Sequence, residues 1–577
     1  MKKYLKALLV VAVFVVLLAF AACAQDDAGV VADPVTPPAG QDAAQDAAQD
    51  PVVVDGVGPD GFRFAETVHI TSVIWDRGHE RMPDMTDNGW TDWIREQMLE
   101  IHNIHVDFVE VPRWDQGPFT TTLIGAGAAP DLTFHFGGRA MTNTFAEMGA
   151  LLDLMPLLER YRQYLPNMYD WFGDLMYYDY NPLTGQMFAI PSRRTEIMRQ
   201  HTFIREDWLN TLGIAPPTTF QEFENALIAF RDNAELLLGD DAHMMIPFAL
   251  GDDVGWGIGT IVESLMPDQI TERELFIRGF CARRIEHPST REAVRIANRW
   301  FHEGLVFQEF AYGEAGTILG DYIRLGVVGA QIANWDMPFR GGGDQQIVTM
   351  REHRGPDANF IPILPFPNDA GRVVMYAFNP ADRRIVLPHT NQNQLATLLY
   401  IDFMARQSTR DFLAFGIEGE HHVVEPNGAI RILPSEDWPD NMVFAAVNNF
   451  DINFVANGFD LGDDYLTVAT LALAYPGIEA EAVMEARSTA IAAARVPRSV
   501  TVRPIAAEEG MTTPLSEFRD TVFHNAVMAA PEDFDAVWDS FIGQYFAMGA
   551  QAIIDERDAA WVEAFGDVPN MPGDRGW

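Results

Sequence analysis

Two pairs of histidines have the residue type and spacing that could bind a metal ion. His102 and His105 are three residues apart, and His421 and His422 are adjacent. Histidine nitrogen is a common zinc ligand. The first pair, however, spans a predicted helix–strand junction, and the chain contains no HExxH motif. We therefore expect neither a metal site nor a cofactor, and zinc transport is kept as an alternative.

Carboxylates are abundant, with 82 aspartates and glutamates and a formal net charge of −42. A glycoside hydrolase needs two carboxyl groups about 5–9.5 Å apart. Nothing in the sequence singles out such a pair, so we expect no catalytic residues and keep a secreted hydrolase as the alternative. The acidic balance also repels phosphate groups, which argues against nucleic-acid binding.

Lysine is confined to the first six residues, as Lys2, Lys3 and Lys6. All other basic residues, histidine aside, are therefore arginines. Without lysine in its body, the chain has no Walker-type phosphate loop, no Schiff-base lysine and no kinase strand lysine. Several enzyme classes are excluded by this one feature.

Strand and helix patterns alternate in the first third of the chain after residue 60. Thr67–Trp75, Asn103–Val111 and Pro130–Phe136 have the β-branched or alternating pattern of strands, and amphipathic helical stretches separate them. This order predicts parallel strands covered by helices, which is an α/β fold. Ligands bind such sheets at the carboxyl ends of the strands, here Trp75–Glu80 and His135–Arg139.

Two helix starts can be predicted from capping residues. Thr219 and Glu222 have the spacing of a capping box before an apolar helix, and Ser289 and Glu292 repeat that spacing. Trp300 lies at helical spacing with other apolar residues of the second helix. We expect Trp300 in the core.

The N-terminus has the pattern of a secretory signal. Three lysines precede the apolar run "LLVVAVFVVLLAFAA", and Cys23 follows it. The run is short for a membrane span. "FAAC" resembles the lipobox of bacterial lipoproteins, although Phe20 stands where that motif usually has leucine. The resemblance implies cleavage of residues 1–22 before Cys23 and attachment of acyl chains such as palmitate to Cys23. The alternative is an unmodified signal anchor.

Residues 23–60 are predicted to be the lipidated cysteine and a disordered tether. The segment is rich in Ala, Asp, Pro and Gln, includes "QDAAQDAAQD", and has little apolar surface to offset ordering entropy. The second cysteine, Cys281, then has no partner in the chain, and we expect it to be a buried small hydrophobic residue.

The order of several segments resembles one family. "GAGAAPDLTFHFGG", "TGQMFAIP", "REDWLNTLGIAPPTTFQEF", "FHEGLV" and "FGIEGEHHVVEPNG" follow one another as in the extracellular solute-binding proteins of ABC importers. The chain is similar to the sugar-binding family that includes maltose-binding proteins, and most similar to its large lipoprotein branch with alginate-binding relatives. The matching pieces span nearly the whole folded body.

The resemblance implies a two-lobed, type II periplasmic-binding-protein-like α/β fold with a ligand cleft between lobes joined by crossing strands. We expect lobe 1 to comprise 61–195 and 376–440, and lobe 2 to comprise 196–375 and 441–577. The implied crossing segments are Arg193–Arg199, Val373–Pro380 and Glu436–Asn449.

The implied function is capture of a carbohydrate and its delivery to the transmembrane permease subunits of an ABC transporter. We expect a monomer, held on the extracellular face of the cell membrane by its lipid anchor. Within the same class of binding proteins, a peptide or another non-sugar solute is the alternative ligand.

Many relatives carry a calcium loop after the first capped helix, and this chain departs from it. The aligned segment is "RDNAELLLGDDAHMMIP", in which leucines and methionines replace oxygen ligands. Calcium takes six to eight oxygen ligands. We therefore expect no calcium here, and the alternative is a residual site formed by Asp232, Asp240 and Asp241.

A sugar presents C–H faces and hydroxyls, so its site needs aromatic platforms beside hydrogen-bonding groups. Tryptophans near strand ends can supply the aromatic platforms, and arginine or histidine can supply the hydrogen-bonding groups. For each tryptophan, packing in the core is the alternative. Trp256 and Trp335 gain support from positions that resemble aromatic platforms of the family. Arginine suits an anionic uronate but also binds neutral hydroxyls. The predicted ligand-binding residues are Trp75, Trp90, His135, Arg139, Arg193, Trp256 and Trp335.

Overall fold

The structure is a computed structural model. It describes residues 62–571, with gaps at 79–80, 82–83, 182–183, 198–199, 252, 281–284, 313–314, 341–345, 444–451, 476, 496–499 and 501. The predicted signal peptide, Cys23, the tether and Cys281 lie outside the described residues. Among the helices that are described, none has both the length and the apolar character needed to cross a membrane.

The longest strands, Val68–Asp76 and Ile104–Pro112, form where β-branched and aromatic residues concentrate. In chain order the strands are β1 (Val68–Asp76), β2 (Ile104–Pro112), β3 (Thr133–His135), β4 (Ile190–Arg194), β5 (Gln200–Arg205), β6 (Ile246–Ala249), β7 (Val328–Asn334), β8 (Phe360–Ile363), β9 (Met375–Tyr376), β10 (Ala381–Val386), β11 (His422–Val424), β12 (Ile430–Ile432), β13 (Ala456–Asn457) and β14 (Ala494–Arg495).

The α-helices cover the sheets and make up most of the C-terminal part. In chain order they are α1 (Gly89–His102), α2 (Gln116–Gly125), α3 (Gly138–Glu147), α4 (Leu154–Tyr161), α5 (Pro166–Phe172), α6 (Glu206–Leu212), α7 (Phe220–Asp232), α8 (Ala234–Leu238), α9 (Val254–Gly257), α10 (Gly259–Ser264), α11 (Glu272–Ile277), α12 (Pro288–His302), α13 (Ala315–Leu325), α14 (Gln346–Arg354), α15 (Gln394–Ala405), α16 (Gln407–Phe415), α17 (Asp464–Ala472), α18 (Ala480–Ala493), α19 (Thr512–Met528), α20 (Phe534–Tyr545) and α21 (Gln551–Phe565).

Lobe 1 is built on β13, β4, β10 and β3, hydrogen-bonded in that order. The parallel pair β1–β2 extends this sheet, because the amide of Val73 donates to the carbonyl of Leu132 and the amide of Leu132 donates to the carbonyl of Thr71, both at 3.0 Å. Strands β1, β2 and β3 are therefore parallel neighbours with helices between them, as their order in the sequence predicts.

Lobe 2 is built on a second sheet with the order β6, β7, β5 and β8. Its core packs aromatic side chains of α7 and α12 against β6, including Phe223, Phe248 and Trp300, all with 0% exposure. The prediction that Trp300 is a core residue is confirmed. Helices α19, α20 and α21 add Val522, Trp538 and Ile553 to the same core.

The capping prediction is right for one helix and wrong for the other. At α7 the Thr219 side chain accepts from the amide of Glu222, whose own side chain caps the Thr219 amide. At α12 the cap is His287, whose Nδ1 accepts from the amide of Ser289 at 3.1 Å. Proline is favoured in the first turn because it lacks an amide hydrogen, so Pro288 begins α12 one residue before Ser289.

Within the described residues, three connections join the lobes. The first runs from β4 in the lobe 1 sheet to β5 in the lobe 2 sheet, and the second enters lobe 1 between β9 and β10. The third leaves the lobe 1 sheet at β13 and reaches Phe459 in the lobe 2 core. It lies C-terminal to the predicted segment Glu436–Asn449, because Met442 and Val455 still pack in the lobe 1 core.

Candidate functional site

A cavity of about 1300 Å³ lies between the two lobes. Lobe 1 lines it with α2, α3 and the residues that follow β3. Lobe 2 lines it with α10, α11, α21 and the residues before α19. Ligand sites of small molecules usually have volumes of about 300–1,000 Å³. The cavity therefore has room for a ligand of several rings.

The turn from β3 into α3 places Arg139 at the cavity. Strand β3 ends at His135, and Gly138 has a φ of 60°, a left-handed conformation that favours glycine. Helix α3 begins at this glycine, so Arg139 lies in its first turn. Arg139 lines the cavity and also donates to the carbonyl of Val500 on the lobe 2 side, at 3.2 Å.

Asp179 is buried between two arginines of the cavity wall. Nε of Arg139 donates to Oδ1 of Asp179 at 3.0 Å, and Arg384 forms an ion pair with Oδ2 of the same carboxylate. Burial alone would raise the pKa of Asp179, but the guanidinium groups of Arg384 and Arg139 outweigh it and lower that pKa. Asp179 is therefore ionised and fixes both arginines in position.

Tyr178 is among the residues that line the cavity beside these arginines, and it is 7% exposed. The guanidinium carbons of Arg139 and Arg384 lie 5.5 Å and 5.3 Å from the centre of its ring. Its hydroxyl accepts a hydrogen bond from the side-chain amide of Asn379, which also lines the cavity. Ring and hydroxyl are thus both held in place, which limits the ordering entropy lost when a ligand binds.

Phe136 is a second aromatic side chain of the cavity wall. It is partly buried, and one of its neighbours is Trp75, whose ring is stacked at 4.9 Å with an interplanar angle of 30°. The Arg113 guanidinium lies 4.5 Å from the centre of the Phe136 ring. Trp75 itself has 0% exposure and belongs to the lobe 1 core, so it supports the ring that lines the cavity.

His135 lies just behind the cavity wall with 0% exposure. Its Nδ1 accepts from the amide of Gly137 at 3.1 Å, and its Nε2 lies 3.4 Å from the Thr142 hydroxyl. Burial, with a smaller contribution from Arg384, lowers the pKa of His135 to about 3. The imidazole is therefore neutral and holds the β3–α3 turn.

Two further predicted tryptophans lie in the cores. Trp90 has 0% exposure on α1, with its ring 5.5 Å from that of Phe412 and 5.4 Å from that of His421. Trp335 follows β7 and is 4% exposed in the lobe 2 core. Neither of them lines the cavity between the lobes.

Trp256 is adjacent to a residue of the main cavity wall, and Arg193 lies on a strand of the first connection. Trp256 is partly exposed on α9, next to Gly255, which lines the cavity, and its carbonyl accepts from the side chain of Gln200 at 2.5 Å. Arg193 is half-buried on β4, 4.9 Å from the Trp171 ring, and burial lowers the pKa of its guanidinium. It lines a second cavity of about 720 Å³ beside the connecting strands.

Arg139 alone among the predicted site residues therefore lines the main cavity, with Trp256 at its margin. Sequence reasoning missed Phe136, although this residue lies within the predicted strand end His135–Arg139. It also missed Arg384. The position of this residue just after the second predicted crossing segment could have indicated that it lies near the cavity. Tyr178 and Asp179 lie in "MYYDY", which has no periodic pattern that could have pointed to the cavity.

The arginines of the cavity wall are each paired with a carboxylate. Besides the pairs made by Asp179, Arg503 contacts Glu556 at 2.6 Å, and Arg557 donates to Glu508. The wall carries arginines and glutamates in similar number: Arg139, Arg384, Arg503, Arg557, Glu147, Glu263, Glu272, Glu508 and Glu509. The lining thus offers hydrogen-bonding groups without a strong excess of either charge.

The segment aligned with the family's calcium loop is helical. It forms α8 and a 3-10 helix at Gly239–Met244. Two of its acids contact arginines: Asp232 pairs with Arg231 at 2.8 Å, and Asp241 pairs with Arg354 at 2.8 Å. These two carboxylates therefore have arginine partners in place of a metal ion.

No family model matches the chain, and no curated protein matches its sequence. Solved structures are similar to it over most of its length. The crystal structure of the alginate-binding protein AlgQ2 without calcium ion has a TM-score of 0.63 and 16% identity, covering 87% of this chain and 99% of its own.

Two further solved structures have the same architecture. An HMO-binding, ABC-transporter-associated solute-binding protein from Bifidobacterium longum infantis has a TM-score of 0.58 and 16% identity, covering 86% of this chain and 99% of its own. FusA, a substrate-binding protein of an ABC transporter from Streptococcus pneumoniae, in complex with kestose, has a TM-score of 0.59 and 12% identity, with coverages of 86% and 99%. At these identities the likeness establishes the fold, which is the two-lobed fold of such solute-binding proteins.

Proposed function

We propose that this chain is the extracellular solute-binding component of an ABC importer. It captures a carbohydrate between its lobes and delivers it to the transmembrane permease subunits, and it is a binding protein rather than an enzyme. The observation that carries the proposal is the cavity of about 1300 Å³ between the lobes, lined by aromatic rings and fixed polar groups from both sides. The three solved structures described above, of an alginate-binding protein, an HMO-binding protein and a protein in complex with kestose, support it.

The cavity wall suits a sugar ring. Aromatic faces pack against C–H surfaces, and a few placed polar groups fix the orientation of the hydroxyls. Phe136 and Tyr178 supply the faces, and Arg139 and Asn379 supply donors beside them. We propose these residues with Arg384 as the central ligand contacts, and Trp256 as a contact at the margin.

The pairing of charges favours a neutral oligosaccharide over a uronate. A sugar that carries a carboxylate would need a guanidinium group whose charge is not already neutralised by a protein carboxylate. Desolvating an anion is costly without such a positive partner. Arg139 and Arg384 already share the carboxylate of Asp179, and Arg557 has Glu508. These donors can still bind hydroxyls, whose desolvation cost is smaller.

The test is a thermal-shift screen of the purified chain against neutral oligosaccharides, uronate oligosaccharides and peptides, followed by calorimetric titration of the best ligand. We expect neutral oligosaccharides of several units to raise the melting temperature, because a ligand that binds only the folded state stabilises it. Stabilisation by peptides alone would contradict the proposed carbohydrate ligand. For substitutions of aromatic residues in the cavity wall, Tyr312→Ala is the matched control, since Tyr312 is 67% exposed and lies outside the cavity wall.

We also propose that Cys23 carries the acyl chains that anchor the protein on the extracellular face of the membrane. Two or more chains anchor stably, whereas a single chain binds marginally. Cys23→Ser should yield an uncleaved or released protein, which detergent partitioning and the mass of the N-terminus would detect. Partitioning of Cys23→Ser like the wild-type chain would contradict lipidation at this cysteine.

A further inference from the structure

Three side chains that could bind a metal converge on the solvent face of lobe 1, at the amino ends of β1 and β2. His69 of β1 is directly opposite His105 of β2 in the parallel register, and their rings are 4.9 Å apart. Asp107 lies two residues further along β2, and side chains two residues apart in a strand share a face. Nδ1 of His69 lies 3.5 Å from Oδ2 of Asp107, and Nε2 of His105 lies 3.2 Å from Oδ1.

These separations approach those of ligands around one tetrahedral ion. Zinc binds nitrogen and carboxylate oxygen at about 2.0–2.2 Å, which in tetrahedral geometry places the ligand atoms about 3.3–3.6 Å from one another. The three candidate ligand atoms all lie within 4.8 Å of one another. The side chains of His69 and Asp107 are 66% and 53% exposed, so rotation can close the remaining separation between the two imidazoles.

We propose that His69, His105 and Asp107 form a site for a divalent transition-metal ion, of which Zn²⁺ is the best fit. Two imidazoles and one carboxylate suit zinc, copper or nickel, and they do not suit calcium, which prefers oxygen. Three protein ligands leave a fourth position of a tetrahedral ion for water. The site is separate from the cavity between the lobes, which lies beyond the carboxyl end of β3, where α3 begins.

The structure also explains why sequence spacing pointed to a different pair. His102 is 1% exposed at the end of α1, where its Nδ1 contacts the carbonyl of Phe62 at 2.6 Å. The partner of His105 is therefore not its neighbour in sequence but His69, thirty-six positions earlier and one strand across the sheet. A bound ion would tie β2 to β1.

The experiment uses the full chain, purified without a histidine tag and treated with a chelator, titrated with Co²⁺ and then with Zn²⁺. We expect one equivalent of Co²⁺ to develop the visible absorption of a four-coordinate ion, and Zn²⁺ to displace it. Zn²⁺ should also raise the melting temperature as its concentration rises. A spectrum that stays that of hydrated Co²⁺ would overturn the proposal and leave the three groups as a cluster of polar side chains that binds no ion.

Variants assign the ligands. His105→Ala and Asp107→Asn should each weaken Co²⁺ binding by at least about 10- to 100-fold. Loss of a residue that only hydrogen-bonds a metal ligand already costs that much. His353→Ala removes an exposed histidine of α14 and should leave binding unchanged. Equal loss in His353→Ala, or stoichiometric binding by His105→Ala, would overturn the assignment. Melting in the presence of chelator checks folding, and His69→Gln is the second variant if His105→Ala does not fold.

Discussion

The indole ring of Trp75 is stacked on the phenyl ring of Phe136, 4.9 Å away, and only Phe136 of the two lines the cavity between the lobes. Trp75 is the last residue but one of β1, and Phe136 follows β3, the neighbouring strand. The Trp75 ring packs in the core of lobe 1, and the Phe136 ring covers it on the side of the cavity. The two residues should therefore respond differently to substitution.

Phe136→Ala should weaken binding of the best oligosaccharide by about 30-fold, because loss of one aromatic platform costs about 2 kcal/mol. Trp75→Ala should instead lower the free energy of unfolding by about 3–5 kcal/mol, as expected when a buried tryptophan is truncated. Calorimetric titration and urea denaturation of both variants measure the two effects. The opposite pattern would show that the indole, and not the phenyl ring, contacts the ligand.

Trp335→Ala should destabilise the fold with little effect on ligand affinity. The sequence predicted this tryptophan as a stacking residue, but it is 4% exposed in the lobe 2 core. Truncation leaves a cavity in that core, for a cost of about 3–5 kcal/mol. Trp256→Ala is the matched comparison, since Trp256 is partly exposed at the margin of the ligand cavity. A Trp335→Ala protein with normal melting and lost affinity would restore the original prediction.

Asp179→Asn should destabilise the chain by about 3–5 kcal/mol, because it leaves two arginines of the cavity wall without their shared buried carboxylate. The folded-state pKa of Asp179 is lowered, so its contribution to stability is present above its ordinary pKa of 3.8 and is lost as pH falls through the folded-state value. Urea denaturation should give a constant difference from wild type between pH 8 and 5. A difference that shrinks within this range would contradict the lowered pKa.

Glu286 affects the pH dependence of stability in the opposite sense to Asp179, and Glu286→Gln should remove its effect. Burial raises the pKa of Glu286 to about 7, from an ordinary value of 4.5, and the Tyr545 hydroxyl donates to its Oε1 at 2.7 Å. The folded chain keeps a proton that the unfolded chain has lost between these values, so this carboxyl makes stability fall as pH rises from 4.5 to 7. The glutamine variant should be more stable than wild type at pH 8, by up to about 3 kcal/mol.

The two proteins should converge at pH 5, since a protonated carboxyl and an amide differ little in burial cost. Free energies of unfolding at pH 5, 6, 7 and 8 make the comparison. Equal stability of variant and wild type at pH 8 would show that the surroundings of Glu286 do not raise its pKa.

Calcium should leave folding unchanged. The segment aligned with the calcium loop is helical, and Asp232 and Asp241 contact arginines. The melting temperature should be the same in a calcium-selective chelator and in millimolar calcium. A rise of several degrees in calcium would show that the aspartates of this segment form a site, since a bound ion stabilises the folded state.

Local patterns predicted the parts of the fold that local interactions determine. The strands β1, β2 and β3 and the Thr219 cap depend on residues close in sequence, and they were predicted from alternation and capping. The start of α12 was missed because Pro288, a residue with its own positional preference, competes with Ser289 for the helix start.

The ligand cavity was harder to predict because it depends on which face of each strand end points between the lobes. Trp75 and Phe136 occupy neighbouring strand ends, yet one faces the core and the other the cavity. Arg139 and Arg384 are 245 positions apart, and only folding brings them to the same carboxylate. The resemblance to a family supplied the two lobes but not these pairings.

The pairing of arginines with carboxylates in the cavity wall has a consequence for the rate of ligand capture. A chain with a formal net charge of −42 surrounds itself with a negative potential, which salt screens over about 10 Å at 0.1 M ionic strength. A cavity with balanced charge adds no attraction of its own for ions. Polyanions in the surrounding medium are therefore kept at a distance, while an uncharged solute reaches the cavity by plain diffusion, at a rate that does not vary with salinity.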